Sequence, residues 1–307
     1  MQSAFISKLL ELAERDGNVL YLLADNGTNY DGMFRRSFPE QIVDFGICEE
    51  HMVAAAAGMA SAGKIPFVFT AGAFLCYRSL EFIRNDVCFQ NQNVKLVGMG
   101  SGLSISSLGP THHTTEDAAV LRALPNLLLL SPATPYQAAA AVELAYRHEG
   151  PVYIRLGMSR EKEFFEEDYR MEVGKSDLVC DGEDAVVFTT GSVLEEAAAA
   201  AERLRESGVS VRLVNVTTLK PFGTEDALRR LAGMKRAVTV EEHNVSGGLG
   251  AIVAETIARA GLGIPLTTVG VEDRFAEGYG TVQAVRRKNG LDAESLCRRL
   301  REVCGHE

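Results

Sequence analysis

Glu49 stands at the mouth of a helix built from small residues, and a carboxylate in that setting can move protons. Phe45-Gly46-Ile47-Cys48-Glu49-Glu50-His51-Met52 runs straight into Val53-Ala54-Ala55-Ala56-Ala57-Gly58-Met59-Ala60. Ala and Met favour helix, and side chains this small let other backbone approach closely. Burial at such a contact raises a carboxyl pKa, and a raised Glu exchanges protons near neutral pH. The blander reading is an acid that offsets the positive end of a helix dipole. Cys48 reads as a small buried hydrophobe, because no base stands at motif distance to make it a nucleophile.

Other stretches carry groups with chemical potential. Gly109-Pro110-Thr111-His112-His113 is a loop ahead of a helix that Thr114 or Thr115 can cap, with Glu116 and Asp117 in its first turn. Adjacent histidines direct their rings apart, and no carboxylate or Cys stands at ligand spacing, so a metal site is not expected here. Imidazole suits hydrogen bonding or proton transfer instead. Phe74 and Tyr77 lie three apart on one predicted helical face, as core aromatics do. Arg155 ends a predicted strand, as a surface group or as a planar grip for phosphate. Gly247-Gly248-Leu249-Gly250 opens a predicted helix, either as an anion cradle or as a point of close packing.

These groups need a scaffold, and the hydrophobic pattern supplies one. After an amphipathic first helix, β-rich runs at 19–24, 66–70, 94–99, 127–130 and 152–156 alternate with helical stretches at 48–62, 76–91, 114–123 and 135–147. Leu127-Leu128-Leu129-Leu130 is apolar throughout, as a strand covered on both faces should be. From Ser159 to Asp184 the chain is charged and aperiodic, which reads as a surface linker. A second series follows, with strands at 185–190, 209–214, 236–241 and 265–269 and helices at 192–207, 224–232, 247–260 and 292–303. The expected architecture is two α/β domains with mostly parallel sheets, at 1–160 and 184–307, joined by a linker over 161–183.

The chain of 307 residues, 46% of them apolar, can bury a full core. A formal charge of -10 and the lack of a basic run argue against nucleic acid or an anionic membrane as partner. No apolar stretch approaches the roughly 20 residues that cross a bilayer. Six cysteines without a Cys-x-x-Cys pair are expected to be reduced, in a cytoplasm.

The run from Gly46 to Ala60 resembles the Gly-Ile-x-Glu segment of transketolases and 1-deoxyxylulose-5-phosphate synthases, in the domain that holds the aminopyrimidine of thiamine diphosphate. The resemblance continues in order through Lys64-Ile65-Pro66-Phe67-Val68, the stretch from Phe74 to Asn85, Gly109-Pro110-Thr111-His112, Arg122-Ala123-Leu124-Pro125-Asn126, Ser131-Pro132-Ala133 and Pro151-Val152-Tyr153-Ile154-Arg155. The second unit, with Thr218-Leu219-Lys220-Pro221-Phe222 and Glu241-Glu242-His243-Asn244, is similar to the transketolase C-terminal domain, which is chiefly structural. Several landmarks in register are far more specific than any one of them.

The resemblance implies an activity and a set of roles. Glu49 would hydrogen-bond the pyrimidine N1', with Ile47 beside it and Phe74 and Tyr77 flanking the ring. His112 would face the substrate near the reacting carbon; His113 replaces a more usual Gln. Arg155 would grip a sugar phosphate, and Asn29 falls where relatives place a second polar phosphate contact. The family's Gly-Asp-Gly motif, which holds the diphosphate and a divalent cation such as Mg2+, is missing; Cys180-Asp181-Gly182 is the nearest approach. The resemblance therefore implies one subunit of a split enzyme, paired with an N-terminal subunit that carries that motif, in an α2β2 heterotetramer. Leu108 stands where many members carry an Asp that reads a sugar hydroxyl, so the acceptor is expected to differ from the standard pentose phosphates. The alternatives are the β subunit of a thiamine-dependent 2-oxo acid dehydrogenase and a non-catalytic regulatory partner.

Overall fold

The computed structural model describes residues 1–25, 31–158 and 161–305. Among these, twelve strands form two sheets: β1 Val19–Leu23, β2 Ile42–Asp44, β3 Ile65–Ala71, β4 Lys95–Met99, β5 Leu128–Leu130, β6 Val152–Leu156, β7 Ser176–Cys180, β8 Ala185–Thr190, β9 Val211–Val216, β10 Thr218–Lys220, β11 Ala237–Asn244 and β12 Leu266–Val271. The first sheet runs β10-β5-β6-β4-β3-β1-β2 and is parallel except for β10. The second runs β12-β11-β8-β9-β7 and is parallel except for β7. Two α/β units with mostly parallel sheets are what the alternating pattern leads one to expect.

Strand periodicity explains how the first sheet is covered. Val19, Tyr21 and Leu23 point to one face and pack with Phe5, Leu9 and Leu12 of the helix Gln2–Arg15 and with Ala138 and Val142 of the helix Pro135–Arg147. Leu20 and Leu22 point to the other face, where Met52, Val53, Ala56 and Ala57 of the helix Glu49–Ser61 meet them. That second core continues into the C-terminal unit through Val186, Phe188, Val214 and Leu219. The two units thus share apolar packing as well as β10, which leaves the second unit to pair antiparallel with β5.

Several local expectations differ from the structure. β7 lies inside the stretch read as linker; as a partly exposed antiparallel edge strand it needs no apolar alternation, so its sequence gives no strand signal. β10 is hidden by its length of three residues. The helix expected over 76–91 starts at Phe74, and wide π-type turns at Phe74–Arg78 and Ile83–Phe89 flank a short α segment, Leu80–Phe82. Such turns inside helices recur at functional sites. Neither Thr114 nor Thr115 caps the helix Asp117–Arg122; the Thr114 hydroxyl reaches back to Gly100 O and the Thr115 hydroxyl donates to Glu116.

Lys95 opens β4 and is completely buried, its Nζ donating to Asn93 Oδ1, His148 O and Gly150 O at 2.5, 2.7 and 2.8 Å. Burial pushes its pKa down to about 7. The unfolded chain then binds more protons than the native one between about pH 7 and the free-lysine value of about 10.4, so stability from this site rises with pH across that window. Below about pH 7 the cost of a buried ammonium is present in full. Denaturant titrations from pH 6.5 to 10 are expected to show a difference between the wild type and Lys95→Met that changes by up to about 1.4 kcal/mol per pH unit; parallel profiles would refute the assignment.

Candidate active site

The loops that follow β2, β3 and β4 converge at the carboxyl edge of the first sheet, where open parallel sheets place their ligands. The first delivers Glu49, the second Phe74, Tyr77 and Arg78, and the third His112 and His113. Glu49 begins its helix only 1% exposed. Its Oε2 accepts a hydrogen bond from Arg78 Nη1 at 2.6 Å. The Arg78 guanidinium lies 4.9 Å from the centroid of the Phe74 ring, and the His112 ring meets Phe74 edge-on with centroids 4.9 Å apart. Glu49, Arg78, Phe74 and His112 therefore form a continuous run of contacts. Sequence reasoning missed Arg78, although its i, i+4 spacing from Phe74 was available as a signal.

The remaining predicted residues divide. Ile47, two residues before Glu49, is 70% exposed. The Tyr77 hydroxyl donates to Glu116 Oε2 at 2.6 Å and accepts from the Glu116 N–H at 3.0 Å. Burial, with Asp117 and Glu116 nearby, pushes the Tyr77 pKa up, so this hydroxyl keeps its proton. Thr111 Oγ1 lies 2.9 Å from His112 Nδ1 and fixes the ring's orientation. His113 turns inward at 3% exposure, with neither ring nitrogen partnered among the described residues. Desolvation lowers its pKa against the pull of Glu242 and Glu116, which keeps the ring neutral at pH 7. Asn29 lies outside the described residues.

Arg155 is buried and largely engaged by the fold. It is 2% exposed, and its Nε donates to Asp117 Oδ2 and Oδ1 at 2.8 and 2.9 Å. Its Nη2 donates to Thr114 O at 3.2 Å and to Glu242 O at 3.0 Å, tying the His112 loop to the C-terminal unit. Nε and Nη2 are thus committed to the fold, which leaves only Nη1 for the phosphate grip that the resemblance implies. The glycine-rich turn also has its answer. Glu241 accepts from Leu249 N and Gly250 N at 2.6 and 2.7 Å, so the helix Leu249–Arg259 binds the chain's own carboxylate. A Cβ at Gly248 would collide with Glu241 Oε2, which makes the glycine a packing requirement. Asp181, the centre of the nearest approach to Gly-Asp-Gly, accepts from Arg212 Nε at 2.7 Å.

An α/β protein with a buried carboxylate and an aromatic face at the carboxyl edge of its first sheet fits a flat, nitrogen-bearing cofactor ring. Residues 1–160 match the family described as "Transketolase, pyrimidine binding domain" and residues 174–296 match "Transketolase, C-terminal domain". The chain belongs to the transketolase family. It is 33% identical to a subunit of the apulose-4-phosphate transketolase of Actinobacillus succinogenes, covering 96% of each chain. It is 34% identical to a 6-deoxy-6-sulfo-D-fructose transketolase subunit of a Clostridium species, covering 99% of this chain and 94% of the relative. A solved split-gene transketolase, described as an inactive β4 tetramer, superposes with a TM-score of 0.89 at 34% identity over 99% of this chain and 97% of its own. The chain corresponds to the C-terminal subunit of a split transketolase, a transferase that works with a partner subunit and depends on thiamine diphosphate.

Proposed function

We propose that this chain supplies the pyrimidine side of an active site that moves a two-carbon ketol unit from a ketose to an aldehyde acceptor. The observation that carries this reading is the buried Glu49 carboxylate in line with Phe74 and His112. The residues fit the aminopyrimidine of thiamine diphosphate: a buried acceptor for N1' and an aromatic face beside it. When bound, the cofactor supplies the carbon nucleophile that amino-acid side chains lack. Glu49 holds a proton at N1'. Phe74 positions the ring. His112, steadied by Thr111, donates hydrogen bonds to a sugar hydroxyl or moves a proton there. His113, turned inward, backs that loop.

The diphosphate and its divalent cation, Mg2+ or another, would be held by the partner's Gly-Asp-Gly motif. An α2β2 heterotetramer would bring the two halves together, and the relative solved as an inactive β4 tetramer supports both self-association of such chains and their need of a partner. Leu108, 53% exposed beside the His112 loop, offers no hydrogen bond where an Asp is usual, which supports an acceptor other than a standard pentose phosphate. Relatives named for apulose 4-phosphate and for 6-deoxy-6-sulfo-D-fructose support a scaffold that accommodates different sugars. No described helix is long and apolar enough to cross a membrane. All six cysteines are free thiols, which supports a reducing, cytoplasmic setting.

Calorimetric titration of thiamine diphosphate with Mg2+ tests the split site. Tight binding is expected only when the chain is mixed with a partner polypeptide that carries Gly-Asp-Gly. Equally tight binding by this chain alone would overturn the division of the site, and full activity of the partner alone would make this chain a regulatory subunit. An acceptor requirement for an aldehyde, with no dependence on a lipoyl carrier, separates ketol transfer from the 2-oxo acid dehydrogenase reading.

A further inference from the structure

Arg78 makes both contacts that a bound aminopyrimidine would need. Its Nη1 donates to Glu49 Oε2 at 2.6 Å, and its guanidinium lies 4.9 Å over the Phe74 ring. A guanidinium is flat, carries N–H donors along its edge and stacks on aromatic faces. An aminopyrimidine has the same flat shape and, when N1' carries a proton, an N–H on its edge. A carboxylate oxygen taken by a guanidinium at 2.6 Å is closed to a ring nitrogen arriving along the same line, and the covered face of Phe74 is closed to a second ring.

We propose that Arg78 is a built-in occupant of the pyrimidine position, seated on Glu49 and Phe74 in the unloaded chain and displaced from both when the cofactor ring enters. The inference rests on the assignment of Glu49 and Phe74 to the cofactor given above. The geometry suits a removable plug. The Arg78 side chain is 40% exposed, whereas that of Glu49 is 2% exposed, so the cation can swing into solvent while the carboxylate stays fixed. Arg78 also closes the π-type turn Phe74–Arg78, where the helix is wider and its side-chain register less constrained than in an α turn. In the unloaded state the contact keeps a buried carboxylate from being left without a partner, which is costly. Half-exposed ion pairs and cation–π contacts are individually weak, so a ligand that replaces both can win.

The competition has a measurable signature, because the apparent affinity of a ligand falls by the fraction of sites that are open to it. Thiamine diphosphate with Mg2+ is titrated calorimetrically into the assembled protein carrying wild-type chain, Arg78→Ala, Arg78→Gln or Glu49→Gln. Arg78→Ala is expected to bind about tenfold more tightly than the wild type, and Glu49→Gln more weakly. Arg78→Gln, which keeps a donor for Glu49 but loses the charge and the stacking, falls between and serves if the Ala variant does not fold. Unchanged or weaker binding in both Arg78 variants, with Glu49→Gln still weakened, would overturn the plug and leave the cofactor assignment standing. Unchanged binding in Glu49→Gln would overturn the assignment itself. A second readout needs no turnover: the Arg78 Nε–H signal in a nitrogen-edited NMR spectrum, assigned by its loss in Arg78→Lys, is expected to shift on cofactor saturation. An unmoved signal in the saturated protein contradicts displacement.

Discussion

Turnover of the assembled enzyme is expected to fall by roughly 10²- to 10⁴-fold in Glu49→Gln, the range typical of losing a positioned proton-transfer group. Gln keeps the shape and the hydrogen-bonding capacity of the buried side chain, so the variant should fold. The lost ion pair with Arg78 is half open to solvent and contributes at most about 1 kcal/mol. The blander role, compensation of the helix dipole, predicts the opposite pattern: a stability loss of about 0.5 kcal/mol with turnover intact. Steady-state rates with a ketose donor, measured beside a thermal melt of the same preparation, separate the two. A rate close to that of the wild type would remove Glu49 from the chemistry.

The second large effect concerns stability. Asp117 is 0% exposed and accepts from both Arg155 Nε and the Tyr153 hydroxyl, the latter at 2.8 Å. Arg155 in turn holds Thr114 O and Glu242 O, so the pair lies where the two units meet. Asp117→Ala leaves a guanidinium buried without its counter-charge, and breaking such a pair from one side costs about 3–5 kcal/mol. At about 2–4 °C per kcal/mol for domains of 150–250 residues, the melting temperature should drop on the order of 10 °C. The double variant Asp117→Leu/Arg155→Leu should recover much of that loss, because replacing both charges removes the uncompensated one. A single variant that melts with the wild type would show that water or another acidic group already compensates Arg155.

This arrangement also gives the C-terminal unit a part in shaping the site. Glu242 lies at the centre: its carbonyl receives Arg155, and its carboxylate takes Leu103 N at 3.4 Å and forms a buried pair with Arg286. A Cβ on Gly102 would come within 2.6 Å of the Glu242 side chain, so the loop carrying His112 rests directly on the second unit. His243 supports the same junction, accepting from Ala119 N at Nε2 and contacting Asn244 O through Nδ1. The second unit therefore has at least a positioning part. It sets where the His112 loop sits.

What could be read from the chain follows from the range of the forces involved. Strand and helix periodicity are local, so the β1, β6 and β8 runs and the helix Pro135–Arg147 were legible almost to the residue. Glu49 was legible for the same reason: small residues for close packing and an acid at their head are neighbours in sequence. β7 and β10 were not, because an edge strand is defined by its partner across the sheet and by nothing in its own composition. The Gly247-Gly248-Leu249-Gly250 turn reads from sequence as packing or cradle. The structure joins the two, with the packed group being the carboxylate of Glu241.

The sequence by itself determined the two α/β units, the acid that heads the small-residue helix and the existence of a histidine loop, since each is written in neighbouring residues. Tertiary structure alone decided how deeply each cation is committed. Arg155 finds Asp117 at 38 positions' separation and Glu242 at 87, and commits its Nε and Nη2 to holding the fold. Arg78 finds Glu49 at 29 and stays half open to water beside it. No linear pattern encodes that difference, because it depends on how deeply folding buries each guanidinium and how many acceptors come with it.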